Sequence, residues 1–92
     1  MTVSREVVIV NQRGLHARAS AKFVAMVADL PPGTKVEVER AGTTAGGGSI
    51  LGLMMLGAAR GDTVTVSVDG DAEAAVLDAL CALVEDGFGE DR

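Results

Sequence analysis

The segment Gly14-Leu15-His16-Ala17-Arg18 places the chain's only imidazole two residues before a guanidinium, where a turn gives way to a helix. That position suits one kind of chemistry. The first N–H groups of a helix have no partner inside it. Together with the helix dipole they form an anion site. A phosphoryl group on His16 would lie over such donors, the N–H groups of Ala17 and Arg18. The Arg18 guanidinium would add charge-assisted bonds to the same oxygens. A neutral imidazole nitrogen supplies the lone pair for attack on phosphorus. The bland alternative is a surface or capping histidine.

Other chemistries find fewer parts. Glu6 is the only acid within ten residues of His16 in the chain, so a hydrolytic triad has no obvious members. One His and one distant Cys do not make a metal site, and no cofactor is implied. The stretch from Gly42 to Ser49, GTTAGGGS, nearly matches a phosphate-binding P-loop, but Gly48 stands where the lysine is needed. Ser49 is better read as the N-cap of a short helix. That helix crowds Ile50, Leu51, Leu53, Met54, Met55 and Leu56 into about two turns, too many to bury against one sheet. Some of them should be exposed, as on a partner surface.

The elements that must hold these residues follow from periodicity. Val3 to Val10 reads as a strand, Asn11 to Gly14 as a turn, and Leu15 to Ala28 as a helix closed by Pro31, Pro32 and Gly33. Lys35 to Arg40 alternates, Ala41–Gly42 turns tightly, and Thr43 to Ala45 returns. Ile50 to Leu56 is helical, and Thr63 to Val68 is a strand with Val64, Val66 and Val68 on one face. Asp71 is expected to cap a last helix, with Ala72, Ala75, Val76, Ala79, Leu80, Leu83 and Val84 as its apolar face and Cys81 in the core. Gly87 and beyond reads as a frayed tail. The order β-α-β-β-α-β-α, with strands apolar on one face only, predicts an α+β fold with a mainly antiparallel sheet.

Composition sets the outer bounds. A chain of 92 residues fits one domain spanning 1–92. A net charge of −5 and only two aromatics argue against nucleic acid. The charge is uneven: no acid occurs from Val7 to Ala28, which holds Arg13, Arg18 and Lys22, whereas Arg92 is the only base after Arg60. The single Cys81 excludes an internal disulfide and suggests a reducing cytoplasm. No stretch reads as a signal peptide or a membrane span.

GLHARAS at Gly14 to Ser20 and SILGLMMLGA at Ser49 to Ala58 together resemble the HPr family of histidine-containing phosphocarriers in the bacterial phosphotransferase system. The resemblance covers essentially the whole chain. It implies an open-faced β-sandwich, a four-stranded antiparallel sheet in the order 1-4-2-3 with three helices on one face. It implies that His16 accepts phosphate on Nδ1 from phosphorylated enzyme I, charged by phosphoenolpyruvate, and passes it to an enzyme IIA domain. The protein would then be a stoichiometric carrier rather than an enzyme; nothing in the sequence marks an oligomer, and a monomer is the default. Arg18 matches the family's active-site arginine. Ser49 matches a serine that a dedicated HPr kinase/phosphorylase modifies in some members. Ile50, Leu51 and Met54 match partner-facing positions, and Lys22 joins them as a candidate contact. Ala19 stands where the family usually has proline, which would pre-set the first helical turn. Three readings stay open: a carrier for sugar uptake, a nitrogen-type regulatory carrier, and an interaction module controlled at Ser49.

Overall fold

The computed structural model describes residues 1–90; Asp91 and Arg92, the last of the expected frayed tail, lie outside the described residues. The elements are β1 (Thr2–Val8), α1 (Ala17–Ala28), β2 (Lys35–Arg40), β3 (Thr43–Gly46), α2 (Ile50–Met55), β4 (Thr63–Asp69), α3 (Glu73–Glu85) and a single 3-10 turn over Gly87–Gly89. The four strands form one antiparallel sheet in the order β1-β4-β2-β3. Alternation gives that sheet its two faces. Val7, Val36, Val38, Val64, Val66 and Val68 are buried on one of them. On the other, Ser4 and Ser67 sit opposite each other and their hydroxyls hydrogen bond at 2.8 Å.

The helices cover the apolar face. Phe23 and Ala19 of α1, Leu53 of α2, and Val76, Leu77, Leu80, Cys81 and Val84 of α3 join the strand valines in one core. Two details of α3 differ from the periodicity reading. Its apolar face is rotated by about one residue: Leu77 is buried alongside the expected core residue Cys81, whereas Ala72, Ala75 and Ala79 face water. Alanine is neutral enough to sit on either face, so the larger side chains decided the rotation. Asp71 does not cap the helix, whose N-cap is Ala72 with no side-chain hydrogen bond.

β1 ends two residues earlier than its apolar run. The chain stays beside β4, however, because Ile9 N–H donates to the Asp62 carbonyl at 2.9 Å and its carbonyl accepts from Gly61 N–H at 2.8 Å. This pins the loop after β1 against the segment that follows α2. Gly14 completes the junction at φ +63°. The next N–H, of Leu15, donates to the Ala58 carbonyl at 2.9 Å.

The turn over Gly87–Gly89 is the largest departure from the expected frayed tail. Phe88 is 1% exposed and belongs to the core. Gly87, Phe88 and Gly89 all adopt left-handed φ values of 69°, 57° and 72°. Glycine reaches that region freely, but phenylalanine does not. Burial of a large aromatic side chain offsets the unfavourable backbone. The turn packs against α3 and α1. It therefore reverses the chain after α3 and brings residue 90 back to the start of α1. Among the described residues, no helix is long and apolar enough to cross a membrane.

Candidate functional site

The helix that follows His16 starts later than its sequence pattern suggests. α1 begins at Ala17, and His16 is its N-cap in extended backbone, φ −76° and ψ −177°. The imidazole takes the part usually played by a Ser or Asp oxygen. Nδ1 accepts the Arg18 N–H at 3.3 Å. The His16 carbonyl accepts from Ser20 N–H at 2.9 Å, closing the first helical turn. The Arg18 N–H, one of the two expected phosphate donors, is thus directed at the ring itself in this state.

The segment around His16 contains no acid in the chain, but it does in space. Glu90, 74 residues away, places Oε1 2.9 Å and Oε2 3.0 Å from His16 Nε2. This corrects the expectation that no carboxylate accompanies the histidine. Both side chains are largely enclosed, with 21% of His16 and 14% of Glu90 exposed. Asn11 is fully buried beneath them. Its Nδ2 donates to the Gly14 carbonyl at 2.9 Å and to Glu90 Oε1 at 3.1 Å. Lys22 reaches the same turn, its Nζ donating to the Phe88 carbonyl at 2.6 Å. Nothing next to His16 in sequence announces Glu90. The available signal is Phe88, one of two aromatics in the chain and flanked by glycines, since a core-sized ring is poorly suited to a frayed tail.

Gln12, Arg13, His16, Arg18, Lys22 and Glu90 line a shallow concavity of about 340 Å³. Three cations and one carboxylate around it favour an anionic visitor. Arg18 is exposed, and among the described residues its guanidinium enters none of the ion pairs. The buried methyl of Ala19 faces the core rather than this concavity.

Hydrogen bonding from His16, and to a smaller degree from Asn11, holds the Glu90 carboxyl below the usual carboxylate range, against an opposing effect of burial. A carboxyl with a depressed folded-state pKa contributes stability that is fully present above its unfolded value of about 4.3 and is lost as pH falls through the folded value. Wild-type protein should therefore lose urea resistance below about pH 4.5 more steeply than Glu90→Gln. Urea midpoints measured from about pH 6 to pH 3 check this, and parallel curves would refute it.

Ser49 caps α2, its Oγ accepting the Gly52 N–H at 2.9 Å. Behind it α2 divides as its crowding requires. Leu53 and Leu56 are buried, while Ile50, Leu51, Met54 and Met55 are 41%, 66%, 40% and 74% exposed. This apolar patch is carried by the same α2-to-β4 segment that supports Gly14 and Leu15.

The family model for PTS-HPr, described as the PTS HPr component phosphorylation site, matches residues 3–86. The chain is 42% identical over 88 residues to a phosphocarrier protein HPr of Cupriavidus necator, covering 96% of this chain and 97% of that one. It is 36% identical over 88 residues to a phosphocarrier protein NPr of Shewanella violacea, covering 96% and 94%. Among solved structures, an HPr from Thermoanaerobacter tengcongensis superimposes with a TM-score of 0.89 at 34% identity, over 98% of this chain and 99% of that one.

Proposed function

The chain belongs to the HPr family of phosphotransferase-system phosphocarriers, and from that premise we propose that His16 accepts a phosphoryl group from phosphorylated enzyme I and passes it to an enzyme IIA domain. One observation supports this above the others: a largely enclosed imidazole caps a helix beside an exposed arginine, with Nδ1 turned toward the helix start. In the transfer, the Nδ1 lone pair forms the new bond to phosphorus. The donor's bond to phosphorus breaks, and its electron pair stays on the donor. The Arg18 N–H, no longer able to use that lone pair, is placed for a phosphoryl oxygen, and the Arg18 guanidinium for the others. Little covalent work is left for this protein, because phosphoryl transfer depends mainly on positioning and charge. It acts as a cytoplasmic, monomeric carrier that is charged and discharged rather than as an enzyme.

Donor and acceptor dock in turn on the same face. Ile50, Leu51 and Met54 offer exposed apolar contact area there, and Lys22 lies at the margin of the concavity. Ser49 stands exposed at the start of that patch. A phosphate placed on it by an HPr kinase/phosphorylase would set a charge among apolar docking residues and weaken partner binding. The similarity to an NPr at 36% identity is consistent with a second branch, nitrogen-type regulation, beside sugar uptake. Competing the phosphorylated carrier between a sugar-type and a nitrogen-type enzyme IIA distinguishes the two.

Incubation with enzyme I and labelled phosphoenolpyruvate should place about one acid-labile, alkali-stable phosphate on wild type and none on His16→Ala. Equal labelling of the two proteins would defeat the proposal.

A further inference from the structure

We infer that Glu90 is a positioning residue for phosphoryl acceptance: its carboxylate keeps the His16 proton on Nε2, so that the lone pair faces out from Nδ1. This rests on the reading of His16 as the acceptor. Both ring nitrogens of His16 have partners that act in one direction only. An ionised carboxylate can only accept, so an Nε2 lying 2.9 and 3.0 Å from its two oxygens must carry the hydrogen. A backbone N–H can only donate, so the Nδ1 that meets Arg18 N–H must offer the lone pair. The two contacts select the same tautomer, the one whose nucleophilic atom lies at the helix start.

The carboxylate is itself held. Asn11 turns its Nδ2 toward Glu90 Oε1, while its buried Oδ1 has no hydrogen-bond partner among the described residues. Orienting the amide this way is unfavourable for that oxygen, and its return is a donor beneath the carboxylate. Phe88 is buried in a left-handed conformation two residues before Glu90, and Lys22 clamps its carbonyl. Backbone strain, a buried amide and a lysine all converge on one carboxylate. The turn that carries it lies beyond residues 3–86, which match the family model.

Glu90 has a second effect during the reaction. When Nδ1 bonds to phosphorus, the ring gains positive charge while its Nε2 proton stays in place. The carboxylate lies against that proton and stabilises the charge as it develops, and it takes no proton itself.

Two measurements on the full chain test the assignment. The imidazole 15N resonances, recorded without any phosphoryl donor at a pH where the ring is neutral, should be widely separated in wild type and drawn together in Glu90→Ala. Glu90→Gln, whose carbonyl oxygen can still accept from Nε2, should recover most of the separation. The initial rate of labelling by phosphorylated enzyme I should fall roughly tenfold in Glu90→Ala. It should remain low in Glu90→Gln, which lacks the charge. Wild-type labelling rates in both variants, or nitrogen shifts unchanged in Glu90→Ala, would overturn the assignment. Failure of wild type to label on His16 would instead overturn the carrier reading, and the nitrogen shifts would still be read independently.

Discussion

Gly14→Ala should lower the stability of the protein by about 3–6 kcal/mol, a large share of the ~5–15 kcal/mol typical of a folded domain. Three effects act together. At φ +63° an alanine costs about 1–2 kcal/mol in backbone energy. A Cβ at this position would lie 2.3 Å from the Ala58 carbonyl oxygen and 2.9 Å from Ala59 Cα. Both are backbone atoms, which cannot swing aside as a side-chain tip can, so overpacking adds about 1–3 kcal/mol. Separating the strands of chain to relieve the clash would also break the 2.9 Å bond from Leu15 N–H to the Ala58 carbonyl, worth about 1 kcal/mol. The urea midpoint should fall with little change in slope. A loss under about 1 kcal/mol would mean that the loop yields easily and that the close approach is not structurally required. The same contact also couples the two halves of the site, since it joins the His16 loop to the segment leaving α2.

Phe88→Ala should cost about 3 kcal/mol, the low end for removing a buried phenylalanine. The low end is expected because alanine tolerates the left-handed backbone somewhat better than a bulky aromatic residue does, so part of the loss is returned. The more informative consequence lies at His16. Without its anchor the turn should release Glu90, although neither His16 nor Glu90 is altered. The additional loss of stability below about pH 4.5 should then flatten toward the Glu90→Gln curve. Urea midpoints against pH for wild type, Phe88→Ala and Glu90→Gln test this together. A steep wild-type-like acid profile in Phe88→Ala would show that Asn11 and Lys22 hold the carboxylate without the aromatic ring.

The two substitutions separate the site's supports. Gly14 allows two pieces of backbone to approach, one before His16 and one after α2. Phe88 buries apolar surface so that a polar side chain two residues on is aimed at the ring. Neither residue carries chemistry, and each is recognised by its conformation or burial rather than by its type.

Local patterns were enough to reveal much of this protein. Alternating valines specify which face of β2 and β4 is buried, because successive side chains of a strand point to opposite sides. Ser49 is legible as a cap, since a hydroxyl before an apolar run meets an unpaired helical N–H. Crowded apolar residues on α2 imply an exposed patch, because a six-residue helix cannot turn all of them inward. His16 and Arg18 are readable as neighbours at a helix start because a cap and its first turn span only a few residues. Other features depended on contacts between distant parts of the chain. The rotation of α3 was set by which side chains fit against the sheet, and alanines on both sides of its apolar stripe leave the choice to packing. Glu90 lies 74 residues from His16, and no periodicity relates them. They meet because Phe88 finds the core through a backbone conformation that few residues adopt. The buried faces of β2 and β4, the Ser49 cap and the neighbouring His16 and Arg18 at a helix start were legible in the sequence, because each arises from spacings of two to four residues. Which carboxylate stands against His16 was settled in three dimensions alone, because a long-range contact between polar side chains is set by the burial of apolar side chains elsewhere.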